Sequence, residues 1–500
     1  MAATDYAPKA AASISEEQHH AAEGDLREFL RLAAETGELQ VVEGADPHLE
    51  IGALYELSLE HDYPPVLLFD NVKGFPAGRR ILCNIRTSRL LDEGRGIAAV
   101  QAFRERKRQQ QAPTIPPEVV ESGPVFENVI TGDDVNVLAF PAPKWHDQDG
   151  GPYIGTECLI INQDPDTGWV NVGTYRVQVH DAKTLTVFIE PGKHGNVIRQ
   201  KYWDRGEACP MVVVVGQAPI LGRLAGSSSR DGECEFDVAG GRLGRPIQVV
   251  RGKLTGLPIP ADAELAFEGY VPSREVETRG EGPFGEWPGY YGSNTRPEPV
   301  FQVKAIYHRD DPIMTGQPPA RPTLPGRLGN NVPAAAAIWD ALENAGVPGI
   351  KGVWKLQGGG SRFITVVAIE QQHPGHAKMA GLVATGCGPA AYLGRLTVIV
   401  DDDVDITNPI EVMWAMATRW DPKTQTDVID GCWTGHIDPI LDPAKRDVHD
   451  ITNSRAIVYA VRPYHWKHEF PEVNAVPRAY AEEVRAKWAE KLTFLRTLGG

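Results

Sequence analysis

Short apolar runs separated by glycine and proline fill the middle of the chain, and this pattern constrains the fold more than any other feature. Between residues 125 and 321 the runs include TGWVNVGTYRVQV, LTVFIEP, MVVVVG, ELAFEGYV and VFQVKAIYH. The chain of 500 residues holds 51 glycines and 40 prolines, which supply many turns without a low-complexity tract. Short strands at this spacing are typical of β-barrels. The sequence therefore predicts a barrel-like β domain over residues 125–321.

An N-terminal α/β segment is predicted before this domain, over residues 21–124. It opens with a helix that Asp25 caps and Gly37 ends, and strand-like runs follow the helix. The stretch 105–124 is charged and then proline-rich, which marks it as the boundary. Residues 1–20 are predicted to be a disordered lead-in.

After Pro322 the pattern changes to alternating strands and helices. We predict a C-terminal α/β domain over residues 322–465, which serves packing and oligomerisation, and a tail helix within residues 466–500. Four residues at i,i+4 spacing give this helix one apolar stripe, which we expect to pack against another element or subunit: Tyr480, Val484, Trp488 and Leu492.

Composition argues against several classes of partner. The net charge of −16 disfavours nucleic acid and anionic membranes, because both attract a basic surface. The six cysteines form no Cys-x-x-Cys pair, so neither a zinc site nor a disulfide framework is indicated. No apolar run approaches the roughly 18 residues of a membrane span, and no signal-peptide pattern opens the chain. We therefore expect a cytoplasmic enzyme with no nucleic-acid or membrane partner.

Three local motifs suggest ligand sites but are more typical of ordinary structure. The glycine-rich stretches 240–245 and 358–362 do not fit a dinucleotide fingerprint, and we interpret them as turns. Asp401–Asp403 and Asp405 resemble a cation cage. Acidic residues after a strand, however, commonly cap the next helix or face solvent. We favour a structural role for all three motifs.

Two segments hold polar residues at positions that suggest a function, one inside an apolar strand pattern and one near a helix start. WVNVGTYRVQVHD, at 169–181, alternates like a strand and contains Arg176, whose burial requires a carboxylate partner. LTVFIEPGKHGNVIRQKYW, at 185–203, has the pattern of a strand, a Pro-Gly turn and a helix with His194 near its start. A helix N-terminus attracts phosphate through its free N–H groups and its dipole.

Two further segments carry carboxylates. AGSSSRDGECEFDVAGG, at 225–241, has small residues that permit close backbone approach, and Glu235 begins a strand-like run. RGEGPFGEWPGY, at 279–290, holds Glu281 and Glu286 apart across Gly-Pro-Phe-Gly. Each segment alone is ambiguous, because an isolated Asn, His or Glu is more often structural than functional.

In this order, the segments resemble the UbiD-type decarboxylases, which use prenylated flavin mononucleotide. The resemblance begins with DLREFLRLAAETGELQVVEGADPHLEIGAL and LLFDNVKGFPAGRRIL, and continues through the four segments above. It ends with RLTVIVDDDVDITNPIEVMWAMATRWDP and with ILDP at 440–443, so it covers most of the chain. It implies a split β-barrel that binds flavin, between the N-terminal α/β segment and a C-terminal α/β oligomerisation domain with its tail helix.

The resemblance implies a metal site at Asn171, His194 and Glu235, which match the family's ligands. An amide oxygen, an imidazole and a carboxylate suit Mn²⁺ or Mg²⁺ in a shell completed by phosphate and water. A nearby K⁺ is also implied. The divalent ion would neutralise a flavin phosphate that a protein of net charge −16 would otherwise repel.

The resemblance also implies a catalytic trio and further cofactor contacts. Arg176, Glu281 and Glu286 match the family's Glu-Arg-Glu network, with Glu286 as the proton donor and Glu281 supporting Arg176 and the cofactor. The cofactor contacts expected besides the metal ligands are Gly173, Thr174, Tyr175, Arg176, Lys193 and Ser227.

The chemistry of decarboxylation needs such a trio. The modified flavin provides the electron sink, so the protein must orient the substrate carboxylate and deliver a proton where CO₂ leaves. A planar, permanently charged guanidinium is suited to the first task. Two neighbouring carboxylates push their pKa values apart, so one stays ionised while the other carries a proton.

The chain departs from the family pattern at one point. Some members hold the flavin phosphate with a lysine before the RLTVIV-type strand, and Gly386–Leu393 contains none. Lys193, beside His194, is a conjectural substitute. Glu190 and Lys193 flank the Pro-Gly turn in a region that faces substrate in relatives, which suggests a polar or heteroatom-bearing ring.

The predicted function is reversible, non-oxidative decarboxylation of an aromatic, heteroaromatic or α,β-unsaturated acid. The expected partners are that acid, CO₂, a flavin prenyltransferase that supplies the cofactor, and further copies in a homodimer or homohexamer. Two alternatives stay open. One is an FMN oxidoreductase on a split barrel, although no nicotinamide fingerprint is present, and the other is a non-enzymatic flavin-binding assembly partner.

Overall fold

The computed structural model describes residues 14–92, 94, 96–109, 113–227, 230–292, 294–325, 331–448 and 450–492. The helices are α1 (Glu16–Gly24), α2 (Leu26–Glu35), α3 (Glu50–Ser58), α4 (Gly96–Gln109), α5 (His194–Asp204), α6 (Pro219–Ala225), α7 (Glu235–Leu243), α8 (Asn331–Asn344), α9 (His376–Gly386), α10 (Gly388–Ala391), α11 (Pro409–Arg419), α12 (Pro443–Asp447) and α13 (Arg478–Trp488).

The strands are β1 (Leu39–Glu43), β2 (Val66–Asp70), β3 (Arg80–Cys83), β4 (Glu118–Val119), β5 (Asn128–Thr131), β6 (Tyr153–Gly155), β7 (Cys158–Gln163), β8 (Val170–Gly173), β9 (Val177–Val179), β10 (Thr184–Val187), β11 (Cys209–Val215), β12 (Gln248–Arg251), β13 (Pro258–Pro260), β14 (Leu265–Val271), β15 (Thr278–Glu281), β16 (Arg296–His308), β17 (Ile313–Gly316), β18 (Ile350–Lys355), β19 (Ile364–Ile369), β20 (Leu396–Asp401), β21 (Thr426–Trp433) and β22 (Thr452–Ala460).

Helix α1 shows that the predicted disordered lead-in was drawn too long. The Ser15 hydroxyl accepts a hydrogen bond from the Gln18 N–H, and the Gln18 side chain accepts one from the Ser15 N–H. This capping box satisfies two backbone donors that a helix start otherwise leaves unpaired. Residues 16–20 are therefore helical, and residues 1–13 lie outside the described residues.

The N-terminal α/β segment contains the predicted helix and a four-stranded sheet. The Asp25 carboxylate accepts from the Glu28 N–H at the start of α2, which confirms the predicted cap. The sheet order is β1-β2-β3-β17, with β17 parallel to β3. Its fourth strand thus comes from a segment that we had predicted to lie in the flavin domain, because the sequence pattern does not show which sheet a short apolar strand joins.

The central sheet has ten strands and is antiparallel throughout. Its main path is β6-β9-β10-β16-β14-β11-β7-β8, and β5 and β15 also pair with the long strand β16. In the residues described, the first strand of this path, β6, does not pair with the last, β8. A closed barrel is therefore not observed, and the split-barrel description is not confirmed. A small sheet, β13-β12-β4, packs beside it.

The C-terminal sheet has the order β18-β19-β20-β22-β21 and packs between helices. Helix α4, predicted to belong to the N-terminal segment, contributes Ala99 and Val100 to this C-terminal core. Its Arg104 is bound by two carboxylates of α8, with Nε 2.7 Å from Asp340 Oδ1 and Nη2 2.6 Å from Glu343 Oε2. The charged half of α4 is therefore a docking face and not a linker.

The acidic run that starts at the end of β20 pairs with guanidinium groups. Asp401 Oδ2 lies 3.0 Å from Arg419 Nη1, and Asp403 is paired with both Arg419 and Arg462. Asp405 accepts from the Thr407 N–H at 2.9 Å and orders the turn. The prediction of a structural role is confirmed, but the role of the first two carboxylates is ion pairing, not helix capping.

The tail helix α13 is formed, but it ends at Trp488, so Leu492 of the predicted stripe lies beyond the helix. The four residues of the predicted stripe are all exposed in the single chain. The exposed fractions of Tyr480, Val484, Trp488 and Leu492 are 59%, 37%, 39% and 37%. None of the described helices is long and apolar enough to cross a membrane.

Candidate active site

The predicted strand 169–181 is interrupted, and the interruption creates the site. β8 ends at Gly173 and β9 begins at Val177, so Thr174, Tyr175 and Arg176 form a short connection between strands that pair with different neighbours. A continuous strand was predicted for this segment, with its alternation setting the direction of the Arg176 side chain. Because Arg176 lies between the two strands, that prediction is wrong. The direction of the side chain is set by the carboxylates that the guanidinium meets.

Arg176 is held between the two glutamates that bracket Gly-Pro-Phe-Gly. Its Nε lies 2.6 Å from Glu281 Oε1 and its Nη2 lies 2.8 Å from Glu281 Oε2, a bidentate pair. Its Nη1 donates to Glu286 Oε1. Arg176 and Glu286 are each 9% exposed and Glu281 is fully buried. The structure thus brings the predicted trio together in one buried ion network.

Hydrogen bonds with residues 149 and 150 hold the turn that carries the two glutamates. The Gly150 N–H donates to Pro283 O at 2.7 Å, and the Gly285 N–H donates to Asp149 Oδ1 at 3.2 Å. Gly282 has a φ of +81°, a backbone conformation that favours glycine. A Cβ on Gly150 would lie 2.0 Å from Gly282 O, so the two segments can approach only without side chains.

Two aromatic residues line the same network. The Tyr153 hydroxyl donates to Glu281 Oε1 at 3.0 Å. The Arg176 guanidinium lies 4.3 Å from the ring centroid of Phe188, and the Arg296 guanidinium lies 4.2 Å from it. Sequence analysis missed Tyr153 and Phe188, because a lone aromatic residue in an apolar run looks the same as any core residue.

The electrostatics separate the two glutamates. Burial raises the pKa of the Glu286 carboxyl above its ordinary 4.5 against the pull of Arg176, and the charges of Glu281 and Glu190 add to the rise. Burial works against the charge of Arg176, but Glu286 and Glu281 outweigh it and raise the pKa of the guanidinium further. Arg176 is therefore always charged, whereas Glu286 is the carboxyl suited to carry a proton.

The predicted metal ligands gather around β8 from three elements. Asn171 lies on β8, His194 begins α5 and Glu235 begins α7. The Val172 N–H donates to Glu235 Oε2 at 2.9 Å, and the His194 ring lies 5.0 Å from the ring of Trp169 on the residue before β8. Glu235 starts a helix and not the predicted strand, since Glu-Phe-Asp-Val fits either element over so short a window.

The donor set of these three residues fits a hard divalent cation. The Asn171 amide N–H donates to Asn162 Oδ1 at 3.1 Å, which leaves the Asn171 oxygen as the ligand atom. His194 Nε2 lies 2.8 Å from Asp231 Oδ1, an exposed carboxylate that sequence analysis did not select. No group of three or more His, Cys, Asp and Glu in the described part of the chain could hold a metal by itself. An ion here would therefore need the amide oxygen and ligand oxygens as well.

Most of the other predicted cofactor contacts lie at the end of β8 or just after α6. The Thr174 N–H donates to Ala225 O at 3.1 Å, which ties the β8–β9 connection to the end of α6, two residues before Ser227. The Ser227 hydroxyl donates to Leu224 O at 2.7 Å. A Cβ on Gly173 would lie 2.7 Å from the Tyr175 ring, so glycine is required for that ring to pack.

The turn from Glu190 to Lys193 faces the C-terminal domain. The Tyr392 hydroxyl donates to Glu190 Oε2 at 3.5 Å, and Lys193 Nζ lies 5.9 Å from the Tyr392 ring centroid. Lys193 is the residue before α5, and its side chain lies against Tyr392. Glu286 is also among the charges that raise the pKa of Tyr392, so this tyrosine belongs to the site although it was not predicted.

The site thus combines a buried guanidinium, a glutamate beside it whose pKa is raised, and oxygen and nitrogen donors on β8 and at two helix starts. Three family models match the chain. They are described as the N-terminal, Rift-related and C-terminal domains of 3-octaprenyl-4-hydroxybenzoate carboxy-lyase, and they match residues 30–91, 118–322 and 330–460.

Characterised relatives and solved structures agree with these models. The pyrrole-2-carboxylic acid decarboxylase of Pseudomonas aeruginosa is 31% identical over 433 residues, which span 80% of this chain and 83% of that protein. The phenolic acid decarboxylase of Bacillus subtilis is 30% identical and covers 84% of this chain and 90% of that protein.

The UbiD-class enzyme HmfF of Pelotomaculum thermopropionicum, solved with FMN, superposes with a TM-score of 0.79 at 28% identity, over 93% of this chain and 100% of that chain. An evolved dimeric form of HmfF was solved with prenylated FMN; it covers 95% of this chain and 100% of that chain, with a TM-score of 0.76 at 26% identity. The chain belongs to the UbiD family of carboxy-lyases.

Proposed function

We propose that this protein decarboxylates an aromatic, heteroaromatic or α,β-unsaturated acid, reversibly and without oxidation, with prenylated FMN as its cofactor. The observation that carries the proposal is the buried Arg176 held between Glu281 and Glu286. Such a network is costly to bury, and a structural ion pair would not need a second carboxylate with a raised pKa.

Each residue of the trio has one task. Arg176 orients the substrate carboxylate through a planar guanidinium, and Glu281 holds that guanidinium by its bidentate pair. Glu286 donates the proton to the carbon that loses CO₂, since its pKa is the one that burial raises. When bound, the prenylated flavin supplies the electron sink that this bond cleavage needs.

Asn171, His194 and Glu235 are proposed to hold Mn²⁺ or Mg²⁺ against the flavin phosphate, with K⁺ nearby. The supporting observations are their convergence on β8 and the two helix starts, where N–H groups favour a phosphate. We further propose that the central sheet acts as a split-barrel flavin domain, that a flavin prenyltransferase supplies the cofactor, and that the enzyme works in the cytoplasm.

The cofactor itself provides the first test. The protein should be co-expressed with a flavin prenyltransferase, and the mass and absorbance spectrum of the bound flavin should be recorded. We expect the mass of prenylated FMN. Plain FMN together with oxidation of a nicotinamide would instead favour the flavin oxidoreductase, and absence of any turnover with full flavin would favour an assembly partner.

His194→Ala should copurify with much less flavin and less manganese than the wild type, because the ring of His194 supplies one of three protein ligands. Metal analysis and flavin absorbance per chain measure both losses. His373→Ala is the matched control, since His373 is exposed and lies far along the chain on the β19–α9 turn. Full occupancy of flavin and metal in His194→Ala would remove this residue from the ligand set.

Deletion of residues 478–500 should lower the oligomeric mass or the melting temperature. The exposed stripe of α13 gains roughly 1.5–3 kcal/mol for each large side chain that a second subunit covers. Light scattering and thermal unfolding of the shortened chain measure the two effects. Unchanged mass and melting temperature would show that the tail is not an interface.

A further inference from the structure

The two glutamates of the trio are held in different ways. Glu281 is the last residue of β15, and it lies opposite Arg296 where β15 pairs with β16. Glu286 lies beyond that strand, in a turn that closes on itself, because the Glu286 N–H donates to Tyr290 O at 2.9 Å. The sheet therefore fixes Glu281, whereas the position of Glu286 depends on the groups that hold its turn.

A buried carboxylate holds the residue before Glu286. The Gly285 N–H donates to Asp149 Oδ1 at 3.2 Å, and Asp149 Oδ2 accepts from the His146 N–H at 2.9 Å. One oxygen thus binds the turn and the other binds the segment that leads to β6. Asp149 is 4% exposed. A carboxylate is costly to bury unless a cation lies close to it.

The imidazole of His146 supplies that cation. Its Nδ1 lies 3.5 Å from Asp149 Oδ2, and its Nε2 lies 3.3 Å from Glu56 Oε1 on α3. Burial opposes the charge of the ring, but Asp149 and Glu56 outweigh it and raise the pKa of His146 to about 9. The ring is therefore protonated at neutral pH and ties Asp149 to the N-terminal segment.

Residues 146–149 also contact the turn directly. A Cβ on Gly285 would lie 3.2 Å from His146 Nδ1, so a side chain at this position would press on the ring. The Gln148 N–H donates to the Tyr291 hydroxyl at 3.1 Å, and Tyr291 forms a β-bridge with Gly285. The segment 146–149 therefore holds both ends of the turn 285–291, which carries Glu286.

We propose that Asp149 and His146 are positioning residues for Glu286: Asp149 holds the Gly285 amide, and the His146 cation holds Asp149. This inference rests on the proposed function, in which Glu286 is the proton donor. A general acid must lie within hydrogen-bond reach of the atom that it protonates, so a displacement of about 1 Å can lower the rate about 10²-fold. Substrate binding should change little, because Arg176 is held by Glu281 on the sheet.

Asp149→Asn tests this role. The amide oxygen can accept from one of the two N–H groups, but the NH₂ group then faces the other, so one hydrogen bond is lost. We expect kcat, measured as CO₂ release per bound prenylated flavin, to fall about tenfold to a hundredfold, with KM within about threefold of wild type. Asp147→Asn is the matched control, because Asp147 lies in the same segment and is exposed. Equal kcat values in the two variants would overturn the proposal.

A double-mutant cycle separates positioning from a general loss of structure. Asp149→Asn should lower the rate no further in a Glu286→Gln background, because the acid that Asp149 positions is already absent. An equal loss of rate in both backgrounds would show that Asp149 does not act through Glu286. His146→Gln keeps the proposal testable if Asp149→Asn does not fold, since it removes the cation from a partly exposed position. It should lower kcat in the wild-type background and have no effect in the Glu286→Gln background.

Hydrogen exchange gives a readout that does not depend on turnover. In FMN-loaded Asp149→Asn, a peptide that covers residues 282–291 should exchange faster than in wild type, whereas a peptide that ends at Glu281 should not change. Unchanged exchange of residues 282–291 would overturn the positioning role even in an active decarboxylase. Faster exchange confined to that peptide, in a protein that releases CO₂ from no acid, would support the hold on the turn and overturn the proposed function instead.

Discussion

Glu286→Gln should lower the rate of decarboxylation by about 10²–10⁴-fold, the usual contribution of a general acid, while flavin occupancy stays intact. The amide keeps the size of the carboxyl and can still accept from Arg176 Nη1, so the network should fold. It cannot deliver an acidic proton to the carbon that has lost CO₂. Turnover measured as CO₂ release per bound prenylated flavin gives the effect directly.

Glu286→Asp is the matched variant, because it retains the acid at a longer reach and should retain part of the rate. In contrast, Glu286→Gln that turns over within about tenfold of the wild type with its flavin intact would show that the donor is another group. Glu281 would then be the first candidate, since it shares Arg176.

The pH dependence follows from the direction of the Glu286 shift. A carboxyl whose pKa is raised keeps its proton to higher pH, so kcat/KM should fall on the alkaline side as Glu286 ionises. The midpoint of that fall should lie above 4.5, the ordinary value. This alkaline decrease in kcat/KM should be absent in Glu286→Gln. A decrease with the same midpoint in that variant would show that another residue titrates.

Arg176→Leu should destabilise the flavin-free protein by about 3–5 kcal/mol, since it leaves Glu281 and Glu286 facing each other without a cation. The same variant should also lose activity, because Arg176 no longer orients the carboxylate of the substrate. Denaturant unfolding measures the first effect, and flavin absorbance measures whether the site survives.

Two controls sharpen this result. Arg205→Leu removes an ion pair to Asp166 in which both side chains are about half-exposed, and it should cost about 0–1 kcal/mol. Arg176→Lys keeps the positive charge but cannot make the bidentate pair with Glu281, so it should recover stability more than activity. An unfolding free energy of Arg176→Leu within 1 kcal/mol of wild type would show that the pairing of Arg176 with Glu281 and Glu286 does not stabilise the fold.

The resemblance to the UbiD-type decarboxylases assigned the trio, and its members also stand in motifs with a chemical requirement. Arg176 lies in an apolar run where an unpaired guanidinium would be expensive, and Glu281 and Glu286 bracket a turn that can bring two carboxylates together. His194 was correctly placed at a helix start because Pro-Gly before a run of helix formers marks that boundary.

The sequence could not predict which elements would join across long distances. β17 returns to the N-terminal sheet and α4 packs in the C-terminal core, although both lie outside the predicted domain boundaries. Short apolar segments carry no mark of their partner, so such pairings are decided by tertiary packing.

The same limit applies to parts of the site. Tyr392 reaches the active site only because the C-terminal domain lies against the turn from Glu190 to Lys193. Local pattern predicted the glycine turn at 358–362 correctly, because that feature depends on neighbouring residues alone.

The most direct test of the central proposal is CO₂ release by one protein preparation loaded in turn with prenylated FMN and with plain FMN, over a panel of aromatic, heteroaromatic and α,β-unsaturated acids. We predict CO₂ release from at least one acid with the prenylated flavin, none above background with FMN, and in D₂O one deuterium at the carbon that carried the carboxylate. CO₂ release that is equal with both flavins, or no release from any acid by fully loaded protein, would contradict the account.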